Sequence, residues 1–142
     1  FSVVTTKSYK STGRAVSSLQ AHLVLTTKYR RKVLTRPMLE RLKDHIHNLC
    51  SKWNVLVIEF VGEDNHIHLL FSYYPQLDLC KFINNLKTVT SRLIRKEFEQ
   101  ELNQTYRGKA VLWNGSYFIA SCGGVTVDVL RKYIEGQEVP VH

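Results

Sequence analysis

Hydrophobic and polar positions along this chain follow two periods, and the switches between them outline the elements. Residues 1–20 are polar and rich in Ser, Thr and Lys, which predicts a loose lead-in with room for one short strand. Ala21 to Thr27 is short and rich in β-formers, so a first strand is expected there, running into the basic stretch Lys28-Tyr29-Arg30-Arg31-Lys32. Pro37 suits the first turn of a helix, and Met38, Leu39, Leu42, Ile46, Leu49 and Trp53 recur at helical steps after it. Val55–Glu63 and His66–Tyr73 read as two strands, and Asp64-Asn65 between them predicts a hairpin.

Pro75 breaks the chain, and Asp78 is placed to cap a long second helix whose buried stripe is Leu79, Phe82, Ile83, Leu86, Val89, Leu93 and Phe98. Lys87, Ser91 and Arg95, with Thr88, Arg92 and Lys96 beside them, form a basic and hydroxyl ridge on another face of that helix. Residues 103–115 are expected to be an exposed loop, and Ser116–Ser121 a fourth strand. Gly123-Gly124 reads as a hinge before a short last helix, with Thr126 as cap, Val125 and Leu130 as staple, and Asp128 near the positive dipole end. Pro140 stops what remains.

The order strand, helix, strand, strand, helix, strand predicts an α+β fold. It is a ferredoxin-like, RRM-like antiparallel sheet with helices on one face, followed by an extra C-terminal helix. With 142 residues and no internal repeat, one domain over 1–142 is expected: lead-in 1–20, core 21–122, last helix 125–138.

Charge narrows the partner. Twenty Lys and Arg against twelve Asp and Glu give a net +8, an excess that favours a polyanion, nucleic acid above all, through counterion release. A solvated basic surface, or attraction to an anionic membrane, is the bland alternative. No apolar run approaches the roughly 18–20 residues of a bilayer span, and no secretory signal opens the chain. The sequence starts at Phe1 rather than Met, so a trimmed initiator or short leader is expected. Three cysteines, Cys50, Cys80 and Cys122, lack paired spacing, which argues against a disulfide scaffold or thiolate zinc site and fits a reducing cytoplasm.

His66 and His68 are the first candidates for chemistry. Two positions apart on a strand, both imidazoles point to one face, with Cβ atoms about 6–7 Å apart, close enough to converge on one divalent ion. The competing reading is a pair of ordinary strand histidines. Tyr133 and Gln137 lie four apart on the last helix and so share a face, flanking the Val127, Leu130, Ile134 stripe. A tyrosine on such a border is commonly a core edge with its hydroxyl in water. Arg131 and Lys132 beside it can neutralise a phosphate or serve the helix dipole. There is no carboxylate cluster of the two-metal nuclease kind, no phosphate-cradling glycine loop and no Ser/His/Asp order, so those hydrolase classes are disfavoured.

With these residues in hand, the chain resembles the single-tyrosine HUH transposases, the TnpA proteins of the smallest insertion sequences (IS200-like), and their REP-associated relatives. His66-Ile67-His68-Leu69-Leu70 is similar to the family's His-hydrophobic-His strand, and Tyr133-Ile134-Glu135-Gly136-Gln137 to its nucleophile helix. Lys28-Tyr29-Arg30-Arg31, Ser91 to Phe98, and Leu112-Trp113 with Ser116-Tyr117-Phe118 match further family segments in the right order, so the likeness runs from about Ala21 to Gln137.

The resemblance implies metal-dependent cleavage and rejoining of single-stranded DNA at the hairpin ends of a mobile element, in a prokaryotic cytoplasm at the nucleoid. It implies Tyr133 as catalytic nucleophile forming a 5′-phosphotyrosine link, and His66, His68 and Gln137 as ligands of Mg²⁺ or Mn²⁺. Arg131 and Lys132 become candidates to lower the phenol pKa, ordinarily about 10. The resemblance also implies a homodimer with shared active sites, for which Gly123-Gly124 supplies a hinge. Lys28, Arg30, Arg31, Lys87, Arg92 and Arg95 are the residues expected to hold a DNA hairpin, since phosphate contacts set register.

Two other readings compete. A non-catalytic RNA- or DNA-binding module shares the predicted topology but should show stacking aromatics on its sheet and need no metal. A replication initiator or relaxase shares the histidine and tyrosine chemistry but usually carries further domains.

Overall fold

The computed structural model describes residues 19–121. Within them the chain runs β1 (Leu19–Thr27), a 3₁₀ turn (Lys28–Arg30), α1 (Arg36–Lys52), β2 (Leu56–Gly62), β3 (His66–Tyr73), α2 (Leu79–Glu97), α3 (Glu99–Tyr106) and β4 (Trp113–Ser121). The four strands form one antiparallel sheet in the order β2-β3-β1-β4. The α+β architecture expected from the sequence is therefore present, and the predicted β3 boundaries coincide with the observed ones.

Strand alternation sorts residues between the two faces. Leu23, Leu25, Ile67, Leu69 and Phe71 point toward the helices and are buried with Met38, Leu42 and Ile46 of α1 and Phe82, Ile83, Leu86 and Ile94 of α2. Val24 and Leu70 form a separate small cluster on the other face, with Ile58, Phe118 and Ala120 around them. Thr35 caps α1 by accepting from Met38 N at 3.4 Å, and Pro37 stands in the first turn, where its missing N–H costs nothing. Asp78 caps α2 as expected, accepting from Lys81 N at 3.1 Å.

Three expectations need correction. β1 starts at Leu19, so the strand reaches into the supposed lead-in. The segment 103–115 is an exposed loop only in its middle, 107–110: its first residues finish α3, and Trp113, Asn114 and Gly115 already belong to β4. Leu102 and Tyr106, one turn apart on α3, are both buried, which is what holds this short polar helix in place. The buried line of α2 passes through Thr90 and Ile94, whereas Val89 and Leu93 are half-buried at its margin.

Candidate active site and nucleic-acid interface

The register of the two central strands assembles the site. Thr26 of β1 pairs with His66 of β3, and Val24 with His68. On the sheet face away from the helices, His66 and His68 therefore stand side by side, with ring centroids 4.9 Å apart. A third imidazole, His22 of β1, sits diagonally across from His68 with centroids 5.3 Å apart, and its Nε2 lies 3.2 Å from His68 Nδ1. His22 is 6% exposed. The sequence reading missed His22 because it lies 46 residues from its partner, and only the register joins them.

The neighbours of the two predicted ligands decide how their rings are presented. His66 Nδ1 lies 2.8 Å from Asn65 Oδ1, an amide oxygen that can only accept, so the proton of neutral His66 is on Nδ1 and the lone pair on Nε2. His68 Nδ1 is likewise engaged, by His22. An imidazole that donates from Nδ1 presents the lone pair of Nε2 to a metal, a common arrangement around histidine ligands, and His66 is held in that way. The pair fits a divalent ion on these grounds. Among the described residues, no group of three or more His, Cys, Asp or Glu could hold one unaided. Further ligands would have to come from elsewhere, from substrate oxygens or from Gln137.

The basic stretch after β1 lies at the same end of the sheet as His66. Thr27 N donates to Asn65 O at 3.0 Å and Lys28 N to Leu112 O at 2.8 Å, tying the turn to the β2–β3 connection and to the residue before β4. Tyr29 and Arg30 have φ of 59° and 55°, the left-handed region that costs a non-glycine residue about 1–2 kcal/mol. Side chains hold this conformation. Thr27 Oγ1 donates to Arg31 O at 2.6 Å, and Tyr106 Oη donates to Lys28 O at 2.8 Å. The result presents Tyr29 outward at 60% exposure, with the Lys28 and Lys109 ammonium groups 5.5 and 5.9 Å from its ring centroid.

Of the residues expected to bind DNA, Arg30, Arg31 and Arg92 are exposed, while Lys28, Lys87 and Arg95 are half-buried. Lys87 Nζ donates to Gly115 O at 3.0 Å and lies 5.5 Å from the Tyr117 ring centroid. Its pKa is lowered, first by partial desolvation and then by the charge of Lys28, so an incoming phosphate would relieve the repulsion. Arg95 Nε donates to Ser91 Oγ at 3.1 Å. Arg92 and Arg95 line a cleft of about 350 Å³ with Lys96, Glu99, Asn103 and Lys109, away from the histidines. The structure thus brings Lys28 and Lys87 together at the sheet end, and Arg92 and Arg95 together in a second basic feature.

Tyr133, Gln137, Arg131, Lys132 and the Gly123-Gly124 pair lie outside the described residues. The sheet face differs from that of an RNA-recognition module. Its two central strands carry His22, Val24, Thr26, His66, His68 and Leu70 there, with no Phe, Tyr or Trp among them, while Phe118 of β4 shares that face.

Comparison with known proteins gives the family of the chain as a whole. The family model described as "Transposase IS200 like" matches residues 15–137. The chain belongs to the IS200-like transposase family. It is 32% identical over 122 residues to the ISDra2 transposase TnpA of Deinococcus radiodurans, an alignment covering 86% of each chain. It is 27% identical over 116 residues to the transposase for insertion sequence element IS200 of Salmonella typhimurium, covering 82% of this chain and 74% of that one.

A crystal structure of a putative transposase from D. radiodurans superposes with a TM-score of 0.73 at 29% identity, over 92% of this chain and all of that one. A REP-associated tyrosine transposase solved bound to a REP hairpin shares the fold, with a TM-score of 0.54 at 11% identity over 89% of this chain and 69% of that one. Membership in the family gives the coarse activity, DNA transposition. Among the described residues, no helix is long and apolar enough to cross a membrane.

Proposed function

We propose that this transposase cuts and rejoins single-stranded DNA through a covalent tyrosine link, at a divalent-ion site held by His66, His68 and Gln137. The observation that carries the reading is the presentation of the pair: two imidazoles on one face, each engaged at Nδ1, with His66 Nε2 bearing its lone pair. Mg²⁺ or Mn²⁺ bound there would polarise the scissile phosphoryl group and stabilise charge on the leaving oxygen.

In this reading Tyr133 is the catalytic nucleophile. Its phenolic oxygen forms a bond to phosphorus as the bond to the 3′ oxygen breaks. The phenol loses its proton to solvent, and the departing 3′ oxygen takes one up. The products are a 5′-phosphotyrosine ester and a free 3′-OH. The ester retains the energy of the broken bond, so the strand is rejoined without ATP. Arg131 and Lys132, adjacent to Tyr133 in sequence, would favour the phenolate by their charge.

Lys28, Arg30, Arg31 and Lys87 would receive the phosphates of a DNA hairpin at the sheet end beside His66, with Arg92 and Arg95 extending the track along α2. Two subunits would share sites, the tyrosine of each completing the histidine pair of the other across the Gly123-Gly124 hinge.

The test is incubation with single-stranded oligonucleotides carrying candidate hairpins, with and without Mg²⁺. A metal-dependent protein–DNA adduct on a denaturing gel, absent in Tyr133→Phe, is the expected result. An adduct that persists in Tyr133→Phe, or forms equally well in chelator, overturns the mechanism.

A further inference from the structure

We propose that His22 is a positioning residue for His68. Its unprotonated Nε2 accepts the Nδ1–H of His68 and so commits the lone pair of His68 Nε2 to the ion. The inference rests on the reading of His66 and His68 as ligands.

Two tautomeric arrangements are possible across the 3.2 Å contact between His22 Nε2 and His68 Nδ1. If His22 donates, His68 keeps its proton on Nε2 and that nitrogen cannot ligate. If His68 donates, its Nε2 is a ligand, and His22 carries its own proton on Nδ1. Asn65 imposes the second arrangement on His66, because its amide oxygen at 2.8 Å can only accept. His22 is placed to impose the same arrangement on His68 from the neighbouring strand.

Burial strengthens the coupling. At 6% exposure, His22 leaves water little room to replace either ring as the other's partner. The same contact explains why three neighbouring imidazoles do not make a three-ligand set. Nε2 of His22 is spent on the far side of the His68 ring rather than aimed beside the nitrogen that would meet the ion. Both acceptors, an amide and an imidazole, are uncharged. They orient the ligands without adding a negative charge that would repel the DNA phosphate.

The experiment uses Mn²⁺ as probe, its binding to the full chain followed by electron paramagnetic resonance in the absence of DNA. His22→Leu removes the acceptor and should weaken Mn²⁺ binding about 10–100-fold, the usual effect of losing a partner behind a ligand. His22→Gln, whose amide oxygen can reach a similar position, should bind close to wild type. Wild-type affinity in a folded His22→Leu overturns the proposal. His68→Ala separates the two levels of inference. Unchanged binding in His68→Ala defeats the ligand reading itself, whereas loss in His68→Ala with no loss in His22→Leu defeats only the role of His22.

If His22→Leu fails to fold, ¹⁵N NMR of the histidine rings in the metal-free wild-type protein decides alone. Protons on Nδ1 of both His68 and His22 are expected. A proton on His68 Nε2 overturns the assignment.

Discussion

The hydroxyl of Thr90 both donates and accepts. It donates to Leu86 O at 2.7 Å along α2 and accepts the Trp113 indole N–H at 3.0 Å, pinning the start of β4 to the helix. Both groups are buried, so Thr90→Val, nearly the same shape, would leave the indole N–H without an acceptor. The expected cost is about 1–3 kcal/mol, measured by urea denaturation, with little change in m-value. Cys50 gives a second test at this scale. Burial pushes its thiol up to about 12, while Cys80 is exposed. Maleimide at pH 8 should therefore modify Cys80 in the folded protein and reach Cys50 only on unfolding, as read by peptide mass spectrometry. Modification of both at equal rates would contradict the packing of α1.

Between elements, the clearest surface tie joins α1 to α2. Arg41 Nε meets Glu97 Oε1 at 3.1 Å, its second nitrogen meets Oε2 at 3.2 Å, and His45 Nε2 lies 3.0 Å from Oε2. The hydrogen bond from Arg41 leads in holding the Glu97 carboxyl below its ordinary value of 4.5. A carboxylate depressed in the fold stabilises it above the unfolded pKa and loses that effect as pH falls through the folded one. Glu97→Gln should thus lower the thermal midpoint only slightly near neutrality, because so exposed an ion pair is screened by water. The difference from wild type should close as the pH drops below about 4.5. A difference that persists at pH 3 would mean that packing, not charge, is involved.

Legibility in the sequence follows the same scale. β3 could be read to its ends because a short apolar-rich run lies between the turn pair Asp64-Asn65 and Pro75, and α2 because Asp78 announces it. α3 was not legible. It has only two apolar contact positions, Phe98 offers no side-chain cap, and Arg107 takes the left-handed terminal position that glycine usually marks. The histidine pair could be read from its spacing, but His22 could not, since nothing local records which strands lie side by side.

At the scale of the whole molecule, the basic turn, Lys87 and His66 share one end of the sheet, so a strand held by the lysines would pass the imidazoles. The proposed sharing of sites between two subunits is tested by mixing. Tyr133→Phe and His66→Ala subunits, each inactive alone, should recover partial cleavage when combined, because one of the two composite sites would again be whole. No recovery would place the tyrosine and histidines of each site on the same subunit.

All three site histidines lie on β1 and β3, which have a neighbouring strand on each side. Their amides consequently open only with the whole sheet, and deuterium uptake at His22, His66 and His68 should be among the slowest in the chain. Residues of the edge strand β2 should exchange earlier. The ion would therefore meet a preset floor rather than mould one, and its arrival should leave the protection pattern of these two strands nearly unchanged.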